Sequence, residues 1–90
     1  MAVQTFALLA DLTRLRIVWH LRDAEMSVND LAAAVGKSAA TVSQHLAKLR
    51  LAGVVQNRRD GNFIHYRLAD HHVGEVVEDA LDHAEHVLPR

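Results

Sequence analysis

Between residues 27 and 53 the chain alternates two helix-opening signals with two helix-closing ones, and this punctuation constrains the fold more than any other feature. Ser27-Val28-Asn29-Asp30 fits a capping box, in which the serine hydroxyl accepts from a backbone N–H three residues on. It predicts a short helix from Val28 to Val35. Gly36 closes that helix, since glycine enters the left-handed region without a Cβ clash. Ser38 caps the next helix, from Ala39 to about Leu51, and Gly53 ends it in the C′ position. Two helices joined by a three- or four-residue turn containing glycine make a helix-turn-helix.

The flanking segments extend this unit. Residues 2–10 are mostly apolar and helix-prone, and Asp11 or Thr13 can cap a further helix through about Arg22. After the helix-turn-helix, the β-prone runs 54–59 and 63–68 are separated by Asp60-Gly61-Asn62, a hairpin signal. Asp70 can cap a last helix reaching about Leu88, with Pro89 beyond its end. The expected fold is therefore mainly α with a β-hairpin wing: a winged helix-turn-helix in the order α-α-α-α-β-β-α. Residues 1–90 read as a single DNA-binding domain with dimerisation helices at its N- and C-terminal ends. A 90-residue core is thin, and with no cysteine to cross-link it, pairing as a homodimer is the natural source of further buried area. The missing cysteines also exclude thiolate metal clusters and cysteine nucleophiles. No apolar run approaches the roughly 18 residues that span a bilayer. No membrane partner is expected, and the chain reads as soluble and cytoplasmic.

The overall charge of −1 conceals a strong asymmetry. Residues 37–68 carry Lys37, Lys48, Arg50, Arg58, Arg59 and Arg67 against Asp60 alone, a net of +5. Residues 69–90 carry Arg90 against six acids, a net of −5. The middle segment suits a polyanion. On a helical wheel Val42, Leu46 and Leu49 form the buried stripe of the second helix-turn-helix helix, while Thr41, Gln44 and Lys48 lie opposite with Ser43 at their flank. Gln can read adenine in a major groove, and Ser38, Thr41 and Ser43 can reach bases or phosphates. Arg58 and Arg59 are expected at the hairpin tip, within reach of the adjoining DNA backbone or minor groove. His45 falls nearer the buried stripe and reads as a packed, hydrogen-bonded side chain, as do His20 and His65.

The last helix carries Asp70-x-His72 and His83-x-x-His86. His72 and His83 lie within about 20° of each other on the wheel but about 16.5 Å apart along the axis. Nitrogen donors to one ion sit roughly 2.0–2.1 Å from it, so a straight helix cannot close these residues on a single metal. An antiparallel second copy, crossing near Val77 and Glu78, would bring Asp70 and His72 of one chain against His83 and His86 of the other. An apolar stripe of Val73, Val77, Ala80, Leu81, Ala84 and Leu88 would form the seam beside them. His71 points to the acidic side and reads as solvated. Three nitrogens and one carboxylate oxygen favour Zn(II); Co(II) fits as well, and Ni(II) prefers more donors.

These segments together resemble the ArsR/SmtB family of bacterial metal-responsive winged-helix repressors. The resemblance lies in LLADLTRLRIVWHL, with Leu12 where the family usually has Pro, in SVNDLAAAVGKSAATVSQHLAKLRLAGVV, and in the wing RRDGNFIHYRL. DHH followed by DHAEH resembles the subgroup with an interhelical site on the C-terminal helices, which implies Asp70, His72, His83 and His86 as metal ligands. It further implies a homodimeric repressor on double-stranded, inverted-repeat operator DNA, released when metal binds. By the same resemblance, His83 reaching toward Gly53 would couple the metal to the end of the reading helix. Other members sense through a Cys-x-Cys pair before the turn; here Met26 to Leu31 holds no thiol. Two other readings stay open: a metal-independent winged-helix regulator, and a zinc-linked dimerisation module without specific DNA binding. No catalytic triad order, Gly-rich phosphate loop or His-Glu-x-x-His motif supports an enzyme, and no organic cofactor is expected.

Overall fold

Asp11 opens the first helix, α1 (Leu12–Leu21), by accepting from the backbone N–H of Arg14 at 3.1 Å. The computed structural model describes residue 7 and residues 9–87, with the side chains of 80, 81 and 83–87 excepted. Positions 7 and 9 are helical, and the rest of the expected first helix lies outside the described residues apart from Ala10, which is in a turn. Ser27 caps α2 (Val28–Val35) through the Asp30 N–H, and Gly36 ends it at φ +70°. Ser38 caps α3 (Ala39–Leu51). Past α3 the N–H of Gly53 donates to the Arg50 carbonyl at 3.0 Å and that of Val54 to the Leu49 carbonyl at 2.9 Å. This Schellman closure requires the left-handed Gly53, φ +77°.

Three antiparallel strands form one sheet in the order β1-β3-β2: β1 (Met26–Ser27), β2 (Val55–Asp60) and β3 (Phe63–Leu68). The hairpin is as expected, with one difference. Asp60 is not in the turn but pairs with Phe63, leaving Gly61 and Asn62 as a two-residue loop. Gly61 takes φ +62° and Asn62 stays negative, a mirror-image turn whose hand matches the strand twist. The two-residue strand β1 is an addition, pairing Met26 with Tyr66 and Ser27 with His65. Ser27 thus ends a strand and caps a helix.

The last helix, α4 (His71–Val87), packs on α1. Gly74 permits the approach, since a Cβ there would lie 3.0 Å from Leu68 Cδ1 and 3.3 Å from Arg22 Cβ. The core joins Ile17, Val18 and Leu21 of α1, Leu31 and Val35 of α2, Val42, Leu46 and Leu49 of α3, Val54 and Val55, and Val77 of α4. This corrects one expectation. Val77 is 1% exposed within a single copy and Val73 packs partly buried beside it, so both serve the protomer's own core rather than a seam. Ala80, Leu81 and Ala84 of the expected seam have side chains outside the described set, and Leu88 lies outside the described residues. Among the described residues no helix is long and apolar enough to cross a membrane.

Candidate nucleic-acid interface and metal-donor helix

Helix α3 divides as its sequence predicts. Val42, Leu46 and Leu49 are fully buried, whereas Ser43, Gln44 and Lys48 are exposed and Thr41 is half-buried at the margin. The Ser38 hydroxyl accepts from the Thr41 N–H at 3.1 Å and donates to the Thr41 hydroxyl at 2.9 Å, so these two side chains are fixed relative to each other. His45 is half-buried and hydrogen-bonded, as read: its Nδ1 accepts from Arg14 Nε at 3.0 Å. The Arg14 N–H holds the Asp11 carboxyl below the usual carboxylate range, against a smaller desolvation cost. His20 meets the Trp19 ring edge-on, and His65 is half-buried in β3.

The basic segment is only partly available to an anion. Lys37, Lys48, Arg50 and Arg59 have no side-chain partner among the described residues. Arg67 donates to the Gln56 side chain at 3.2 Å. Arg58 Nε lies 2.8 Å from Glu25 Oε1, and its NH1 lies 3.9 Å from Asp60 Oδ2. Register explains the split. Val55 and Leu68 pair on the inward face, where α3 packs against β2, and strand alternation puts Arg59 and its partner Ile64 on that same face. Arg58 and its partner His65 lie on the outward face. The two arginines sit three and two residues before the turn, pointing opposite ways. Glu25 lies 33 residues from Arg58, in another segment, so the net charge of residues 37–68 does not include it.

At the start of α4, Asp70 Oδ1 accepts from the His72 N–H at 2.9 Å, making Asp70 the helix cap. The His72 side chain is 76% exposed, with Nδ1 3.8 Å from Glu75 Oε2 and its ring 4.4 Å from that of the exposed His71. His83 and His86 belong to the same uninterrupted helix, but their side chains lie outside the described set. No three potential metal ligands gather among the described residues. Gly53, the expected partner of His83, is exposed. Beside it, buried Val54 joins two elements, its N–H bonded to Leu49 in α3 and its carbonyl accepting from Ala69 at 3.0 Å, just ahead of α4.

Residues 11–57 match the family described as bacterial regulatory protein, arsR family. The HTH-type transcriptional regulator KmtR of Mycobacterium tuberculosis is 55% identical over 89 residues, which make up 99% of this chain and 68% of that protein. The HTH-type transcriptional repressor SmtB of the same species is 45% identical over 76 residues, or 84% of this chain and 56% of that one. Both relatives extend well beyond the matched region. Among solved structures, a homodimeric winged helix-turn-helix DNA-binding domain from Mycobacterium bovis superposes with a TM-score of 0.84 at 30% identity, covering 98% of this chain and 82% of that one.

Proposed function

Because the chain belongs to the ArsR family of bacterial regulatory proteins, we propose that it is a metal-responsive transcriptional repressor, homodimeric on an inverted-repeat operator and released when a divalent cation is held between its C-terminal helices. In this reading α3 enters the major groove. Gln44 reads a base edge, Ser38, Thr41 and Ser43 contact bases or phosphates, and Lys48 with Arg59 and Arg58 neutralises the backbone.

The observation that carries the metal response is the continuity of α4, a single helix from His71 to Val87. Asp70 and His72 stand at its first turn, and His83 and His86 in its last turns. Such a donor set fits an ion shared by two antiparallel copies, with Asp70 and His72 from one and His83 and His86 from the other. Zn(II) suits three imidazoles and a carboxylate, with Co(II) and Ni(II) as alternatives. The bound ion would supply a cross-link between two α4 helices. The chain's own residues do the rest. Asp70 uses Oδ1 to cap the helix and keeps Oδ2 to donate. His83, through its second ring nitrogen, is the residue proposed to engage Gly53 at the end of α3. Linkage sets the size of the response: metal and DNA weaken each other by one common factor, typically 5–150-fold.

The test is a fluorescence-anisotropy titration of a duplex selected from a random pool, run with Zn(II), with Co(II) and with chelator. Zinc should lower duplex affinity by at least fivefold, and His72→Ala and His86→Ala should each abolish that change. Equal affinity with zinc and with chelator would leave a metal-independent regulator. Absence of salt-sensitive duplex binding would leave a zinc-linked dimerisation module.

A further inference from the structure

Among the described residues, Arg58 is the one cation of the hairpin whose guanidinium is held by an acid from outside the helix-turn-helix and wing. Glu25 lies in the connection before β1, at the opposite edge of the sheet from β2. To reach Arg58 it spans β3, and it closes to 2.8 Å on Nε. Alternation places both on the outward face: Met26 faces inward opposite Tyr66, so Glu25 points outward beside Ser27, and Arg58 lies outward opposite His65. Asp60 adds a second carboxylate 3.9 Å from NH1. The Glu25 side chain is 30% exposed and that of Arg58 48%, so the pair is partly shielded yet reachable by solvent. Arg59, next in sequence, has no such partner among the described residues and lies on the inward face.

We propose that Glu25 is a positioning residue that competes with nucleic-acid phosphate for Arg58, lowering the affinity of the wing for DNA. The pairing keeps Arg58 on the outward face and cancels its charge. Arg59, and Arg67 with its neutral partner Gln56, keep their charge, so the wing presents two effective cations rather than three. A phosphate that recruits Arg58 must first displace a carboxylate already in charge-assisted contact. This rests on the DNA-binding reading above and refines it, because it assigns different tasks to two adjacent arginines.

The measurement uses the intact protein and a 30-base-pair random-sequence duplex, with affinity followed by anisotropy across a salt series. Glu25→Gln keeps the shape of the side chain and removes its charge. It should tighten binding about twofold to fivefold at low salt, the scale of a partly exposed ion pair. It should also steepen the slope of log K against log salt by about 0.9, one additional phosphate contact. Arg58→Ala alone should weaken binding less than Arg59→Ala does, and Arg58→Ala in the Glu25→Gln background should erase the gain in affinity and in slope. The slope is decisive, since a merely structural role for Glu25 would not add a counterion. Unchanged or weaker binding by Glu25→Gln, or a loss with Arg58→Ala as large as with Arg59→Ala, would overturn the proposal. If neither wild type nor Glu25→Gln binds duplex in a salt-sensitive way, the DNA-binding reading itself falls and takes this one with it. If wild type binds and Glu25→Gln is indistinguishable from it, only the competition is lost.

Discussion

Arg14, in the first turn of α1, donates through Nε to Nδ1 of His45 in the middle of α3, at 3.0 Å. The bond spans 31 residues and ties the opening helix of the described fold to the helix proposed to read DNA. Because Nδ1 accepts, the proton of the neutral ring sits on Nε2. Replacing His45 with Phe removes this hydrogen bond to a charged group, at a cost of about 1.5–3 kcal/mol. For a domain this size, each 1 kcal/mol lowers Tm by about 4–8 °C. His45→Asn, whose Oδ1 lies near the Nδ1 position, should recover most of the loss in a thermal melt.

The Ser38 cap can be tested by contrast. Ser38→Ala removes the acceptor for the Thr41 N–H and the donor to its hydroxyl, and should cost about 1 kcal/mol. Ser38→Gly should cost only a few tenths of a kcal/mol, because glycine lets water reach the exposed N–H groups. Urea midpoints of the two variants, with Thr41 amide exchange as the local readout, check the ordering.

On DNA, Lys48→Ala and Gln44→Ala should behave differently although both side chains are exposed on one face of α3. Lys48→Ala should weaken binding to every duplex alike and reduce the salt slope by about 0.9. Gln44→Ala should instead relax preference at one base pair, worth about 1–3 kcal/mol, with the slope unchanged. Binding to a panel of single-base variants at two salt concentrations separates these outcomes.

Asp11 makes stability depend on pH in a known direction. The Arg14 N–H lowers its carboxyl pKa in the folded chain, so the charged form is favoured there over the unfolded chain. Its contribution is fully present above the unfolded value of about 3.9 and is lost as pH falls through the lower folded value. Asp11→Asn keeps a good cap but no charge. Wild type should therefore be the more stable at pH 6, and the gap should narrow as pH falls below the unfolded value of about 3.9 in urea unfolding.

What the sequence revealed tracks the range of each interaction. The bounds of α2 and α3 were legible because Ser27, Gly36, Ser38 and Gly53 act within a turn of where they stand. The exposed row of Gln44 and Lys48 followed from helical period alone. Strand β1 was not legible, because two residues carry no alternation and their partners Tyr66 and His65 lie about 40 positions away. For the same reason Val77 reads in the sequence as part of a seam between two copies. Its amphipathic spacing marks an apolar side but not which neighbour covers it, and α1 does so here through the gap left by Gly74. Arg58 and Arg59 looked equivalent as neighbours in a basic run. Period-2 alternation already separates them, but only the folded sheet brings Glu25 to one and not to the other.

Val54 acts as a mechanical joint. The amide plane before its Cα hangs from the last turn of α3 and the plane after it carries the strap to Ala69, while the side chain between them is buried at 2% exposure. A tilt of the first turn of α4 therefore cannot be absorbed by slack in the linker. It must either break the strap or twist the terminus of α3, a torque route that lies wholly inside one polypeptide.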